Sequence, residues 1–105
     1  MKLSVIIPAY NEAERLPSTL EEAYGWLTKR LKDSFEIIVV DDGSSDETGA
    51  KTRAMIASHP HLKILVQPQN HGKGAAVKRG MLEATGDIRL FMDADHSTHI
   101  RETGK

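Results

Sequence analysis

Phe35-Glu36-Ile37-Ile38-Val39-Val40-Asp41-Asp42-Gly43-Ser44-Ser45-Asp46-Glu47-Thr48 decides how the rest of the chain is read. Its first six residues form a nearly continuous apolar run, interrupted at Glu36 and β-branched from Ile37 to Val40, which predicts a strand buried on both faces. An acidic, glycine-containing turn follows. Ser44-Ser45-Asp46-Glu47 then has the S-x-x-E form of a capping box and predicts a helix running to about Ser58, ended by His59-Pro60.

Working outward, the same alternation repeats. Leu3 to Ile7 predicts an earlier strand ended by Pro8, Leu62 to Val66 a later one, and Ile88 to Met92 a fourth. Between the first two lies an apolar stripe at Leu16, Leu20, Ala23, Leu27 and Leu31, with Pro17 suited to a first helical position. Another helix is expected from Lys73 to Gly86, with Ala76, Val77, Gly80, Met81 and Ala84 turned inward. Four strands alternating with three helices predict an α/β fold: a parallel sheet with helices on both faces.

The composition narrows the possible functions. The chain has 105 residues, a net charge of −1 and no cysteine. Disulfides, thiolate metal sites and a cysteine nucleophile are thereby removed. With no basic stripe, a nucleic-acid partner is not expected. No apolar run is long enough to span a bilayer, and the first residues lack the pattern of a signal peptide. The expected location is the cytoplasm, including the cytoplasmic part of something tethered to a membrane.

In a parallel sheet every strand ends at one rim, where ligands bind. Each strand of this chain is followed there by a polar cluster: Pro8-Ala9-Tyr10-Asn11-Glu12, then Asp41 to Asp46, then Gln67 to Gly74, then Asp93-Ala94-Asp95. The last is the sharpest signal. Two carboxylates one residue apart repel each other unless a cation lies between them, and oxygen donors of this kind suit Mg²⁺ or Mn²⁺. Gly72-Lys73-Gly74 precedes a helix, a place that suits phosphate. His96 and His99 are lesser candidates, as zinc ligands or neighbours of a metal; His59-Pro60-His61 reads as a solvated loop on the opposite rim. Val77 interrupts what would be G-x-G-x-x-G, and no phosphate-binding loop of the G-x-x-x-x-G-K-[ST] form occurs.

These motifs, in this order over residues 3 to 98, resemble the family 2 glycosyltransferases. The resemblance is greatest to the branch acting on dolichyl and polyprenyl phosphates. It implies the Rossmann-like, nucleotide-binding N-terminal half of a GT-A fold over residues 1–105, with the acceptor-binding part absent. It implies a UDP- or GDP-linked sugar as donor and a lipid phosphate as acceptor of the full-length enzyme. By the same resemblance Pro8, Tyr10 and Glu12 line the base and ribose pocket and Asp42 meets the base edge. Gly72 and Lys73 face the diphosphate or sugar, and Asp93 and Asp95 hold Mg²⁺ or Mn²⁺, Asp95 more directly. No residue is assigned as a catalytic base. Inverting transfer is the expected reaction, with a nucleotide-binding module lacking transfer as the alternative. A sugar nucleotidyltransferase would need a glycine-rich loop after the first strand, and a signalling receiver would place its acidic pair there. Self-association is expected through the exposed edge of the fourth strand.

Overall fold

The structure, a computed structural model, describes residues 2–92. Its elements are β1 (Leu3–Ala9), α1 (Leu16–Leu31), β2 (Phe35–Asp42), α2 (Thr48–Ile56), β3 (Leu62–Gln67), α3 (Lys73–Glu83) and β4 (Ile88–Phe91). The strands form one parallel sheet in the order β3-β2-β1-β4. Side chains alternate across it. Val5, Ile7, Phe35, Ile37 and Val39 pack with Leu16, Leu20, Ala23 and Leu27 of α1, and Met55 and Ile56 of α2 join them. Ile6, Ile38 and Val40 face the other way, against Ala76 of α3 and Ala84. The α/β fold with helices on both faces is therefore as the pattern of apolar runs predicts. Gly80 lets α3 lie close to the sheet: a Cβ there would stand 2.5 Å from Cγ2 of Ile6.

Three boundaries differ from expectation, each for a physical reason. Pro8 does not end β1, because its missing N–H falls on the β4 side. The β1–β2 register continues to Ala9↔Asp41. The β1–β4 register stops at Ile6↔Phe91, followed by the bond from Met92 N–H to the Ile6 carbonyl at 3.0 Å. The next bond of that ladder would need a donor at position 8, which proline lacks. The helix after β2 starts at Thr48, four residues beyond Ser44, and the capping box does not form: Glu47 occupies the N-cap without a side-chain bond. Ser44 and Ser45 are bonded to Asn11 instead. Finally, α3 stops at Glu83 rather than Gly86, with Ala84 extended. The N–H groups of Thr85 and Gly86 are taken by Glu36 and by the Ser4 hydroxyl.

Glu36 is the centre of a buried polar cluster at the amino-terminal rim. Its carboxylate accepts from Ser4 Oγ at 2.6 Å, Lys63 Nζ at 2.6 Å and Thr85 N at 2.7 Å. Burial alone would raise its pKa; the bonds from Lys63, Ser4 and Thr85 outweigh that and lower it to about 2. His59 and His61, at the same rim, are not a solvated loop. The His59 ring packs edge-on to Tyr24 at 4.6 Å, with Nδ1 bonded to the Met55 carbonyl and Nε2 to Glu21. Desolvation lowers the His59 pKa, but the bonds to Glu21 and Met55 raise it further, so the net shift is upward.

Candidate functional site

The acidic pair Asp41-Asp42 consists of the last two residues of β2, not of the turn that follows, so strand alternation sends the two side chains to opposite faces. Asp41 turns toward α2. Its Oδ1 accepts the Ser44 N–H at 3.0 Å, and a Cβ at Gly49, in the first turn of α2, would stand 2.8 Å from its Oδ2. Asp42 turns toward α3 and is 3% exposed. Its Oδ1 accepts from Gln67 Nε2 and from the His71 N–H, both at 2.9 Å, and its Oδ2 accepts the Gly72 N–H at 2.8 Å. Gln67 is its direct partner in the β2–β3 register. One aspartate thus organises the turn into α2, and the other holds the turn into α3.

The same rim is braced from β1. The Asn11 N–H donates to Ser44 Oγ at 2.9 Å, the Glu12 N–H to Thr48 Oγ1 at 2.9 Å and the Ala13 N–H to Asp46 Oδ2 at 3.2 Å. Between the second and third turns the packing is equally close. Gly43 has φ +73°, and a Cβ there would meet the Gln69 carbonyl carbon at 2.5 Å and the Asn70 nitrogen at 2.6 Å. Only glycine fits both the conformation and the space.

The sequence-predicted residues occupy this rim in different ways. Tyr10 is the first residue past β1 and is 46% exposed, a ring available to a planar ligand. Pro8 is buried within β1, and Glu12 is partly buried in the following turn. Gly72, with φ +95°, is the N-cap of α3. The first turn of that helix begins at Lys73, and the positive end of its dipole attracts an anion. The Lys73 ammonium lies 5.5 Å from the centroid of the Phe91 ring, which carries it to the end of β4. An open cleft of about 380 Å³ is lined by Asn11, Glu12, Ala13, Glu14, Arg15 and Asp46. Among the described residues, Glu12 is the one expected ligand-binding residue that lines it.

Asp93 and Asp95, with His96 and His99, lie outside the described residues. Among the described residues no group of three or more His, Cys, Asp or Glu could hold a metal ion. Among them, too, no helix is long and apolar enough to cross a membrane. Asn11, Ser44 and Ser45 stand out in the sequence as polar residues, but nothing local shows that they join two turns. Nothing local marks Thr48 as an acceptor for Glu12 or Gln67 as a donor to Asp42.

Comparison with known proteins agrees with this geometry. The family model of glycosyl transferase family 2 matches residues 4–101. The dolichyl-phosphate beta-glucosyltransferase of Dictyostelium discoideum is 45% identical over 106 residues, covering 95% of this chain and 32% of that protein. Among solved structures, the mannosyltransferase of Pyrobaculum calidifontis in complex with GDP-Man and Mn²⁺ superposes with a TM-score of 0.80 at 31% identity, covering 90% of this chain and 27% of that one. Staphylococcus aureus TarS in complex with UDP-GlcNAc gives 0.71 at 32% identity, covering 90% and 27%. The chain spans about a third of the length of the curated relatives it matches.

Proposed function

The chain belongs to glycosyl transferase family 2, and from that premise we propose that residues 1–105 form the nucleotide-sugar-binding part of an inverting glycosyltransferase. The observation that carries this reading is the mutual bracing of the turns after β1, β2 and β3 at one rim, with the α3 N-terminus held there by Asp42. A UDP- or GDP-linked sugar fits such a rim. Tyr10 stacks on the base, Pro8 and Glu12 border the base and ribose, and the second lone pair of Asp42 Oδ2 accepts from the base edge. The amide groups following Gly72 and the Lys73 ammonium receive the diphosphate, whose negative charge grows as the sugar leaves.

Asp93 and Asp95 supply hard oxygen donors of the kind that Mg²⁺ and Mn²⁺ prefer, so the donor set fits such an ion. Bound there, the cation would act as a Lewis acid toward phosphate oxygens. The mannosyltransferase bound to GDP-Man and Mn²⁺ supports the pairing of a nucleotide sugar with a metal. The names of the curated relatives support a dolichyl phosphate as acceptor; a lipid acceptor of that kind is met at a membrane, and its cytoplasmic face is the proposed site of action. An acceptor oxygen entering opposite the departing diphosphate inverts the anomeric carbon. A lipid phosphate, already anionic, needs little help from a general base.

The β4 edge, with Ile88 and Phe91 about half-exposed, is the surface proposed for self-association. The other reading keeps donor binding without transfer, and measurable sugar transfer by this chain would reject it.

Calorimetric titration with UDP-glucose, GDP-mannose and the two free diphosphates, with and without Mn²⁺, tests the proposal. One diphosphate is expected to bind in a metal-dependent manner, and Asp95→Ala to weaken it by about tenfold or more. Equal affinity with and without metal would remove Asp93 and Asp95 from this role.

A further inference from the structure

Asn11 has φ +53°, in the left-handed region that few residues other than glycine adopt freely. The bonds that hold it there come from the turn after β2. Besides the Asn11 N–H bond to Ser44 Oγ, Asn11 Oδ1 accepts the Ser45 N–H at 2.8 Å. The next two N–H groups, of Glu12 and Ala13, end on Thr48 Oγ1 and Asp46 Oδ2. These two acceptors form a unit, since the fully buried Thr48 hydroxyl donates to Asp46 Oδ1, which also accepts the Thr48 N–H at 2.9 Å. That bonding, led by the Thr48 hydroxyl, holds the Asp46 carboxyl below the usual carboxylate range. Three consecutive amides of the first turn are therefore fixed by the second. Asn11, Glu12, Ala13 and Asp46 all line the open cleft.

We propose that Thr48 and Asp46 are positioning residues, a bonded pair that sets residues 11–13 so that Tyr10 and Glu12 are presented to the nucleoside half of the donor. Neither residue touches the ligand; each acts through the turn after β1. The inference rests on the nucleotide-sugar reading given above.

Thr48→Val removes the hydroxyl while keeping the shape of the side chain, Thr48→Ser keeps the hydroxyl, and Asp46→Asn alters the exposed member of the pair. Calorimetric titration of the full chain with UDP and GDP in the presence of Mn²⁺ is the test. Thr48→Val and Asp46→Asn are expected to weaken the preferred nucleoside diphosphate by about tenfold, and Thr48→Ser by less than about twofold. In a Tyr10→Ala/Glu12→Ala background the same substitutions should cost little more, because their effect passes through those two residues. Affinity unchanged in Thr48→Val and Asp46→Asn, or losses that simply add to that of the Tyr10→Ala/Glu12→Ala background, would overturn the inference while leaving the nucleotide-sugar reading intact. A wild-type chain that binds neither diphosphate would overturn that reading and this inference with it.

Discussion

Glu36→Gln is expected to lower the unfolding free energy near neutral pH by about 3 kcal/mol and to flatten the acid limb of the stability curve. The wild-type carboxyl titrates from an ordinary 4.5 when unfolded down to about 2 in the folded chain. Between those values the unfolded state binds more protons, so stability rises with pH. The contribution of Glu36 is complete above pH 4.5 and is lost as pH falls through about 2. Glutamine keeps the size of the side chain but removes the charge facing Lys63, and whichever way its amide is turned the N–H₂ meets a donor: Lys63 at one oxygen's place, or Ser4 and Thr85 at the other's. Urea unfolding of both proteins from pH 7 to pH 2 provides the measurement, the difference between them being the contribution of Glu36. Parallel curves across that range would show that the carboxylate contributes nothing specific.

Asp42→Ala is expected to cost a similar amount, about 3 kcal/mol, and to loosen one turn selectively. Three donors lose their acceptor at once: Gln67 Nε2 and the N–H groups of His71 and Gly72. Asp42 is 3% exposed, so donors deprived of its carboxylate are left without full compensation. Asn70 Oδ1, 3.1 Å from the Gly72 nitrogen, relieves only one of them. Amide hydrogen exchange separates local from global loosening. Protection should fall at His71 and Gly72 by far more than along the β1–β2 ladder, because local opening exposes only the turn. Uniform loss of protection over the sheet, or none at His71 and Gly72, would contradict the anchoring role.

These two carboxylates also show what was legible in the sequence and what was not. The β-branched run at Ile37 to Val40 and the Leu16–Leu31 stripe announce their elements because period and burial act locally. Glu36 sits just before that run without disturbing the reading, yet its partners Ser4, Lys63 and Thr85 are 32, 27 and 49 positions away. The capping box failed for the same reason. Ser44 and Ser45 satisfy the local rule, but Asn11, more than thirty positions earlier, competes for them and wins. The neighbours of His59 in sequence are polar and turn-forming and suggest a solvated loop; the Tyr24 ring and Glu21 that enclose it come from α1. The polar clusters at the ends of β1, β2 and β3 could be read directly, since parallel strands share a rim. That Asp41 and Asp42 serve two different turns could not, because it depends on how far β2 extends.

The claim on which the account rests is that the nucleoside diphosphate lies across the turns after β1 and β3. Two-dimensional ¹H–¹⁵N spectra of the full chain, titrated with UDP and with GDP in the presence of Mg²⁺, test it most directly. The account predicts that one of the two shifts the amide signals of Tyr10 to Ala13 and of His71 to Gly74, and leaves those of Lys32 to Ser34 and of Thr85 in place. Shifts concentrated at Lys32 to Ser34 and Thr85, or no response to either nucleotide, would contradict it.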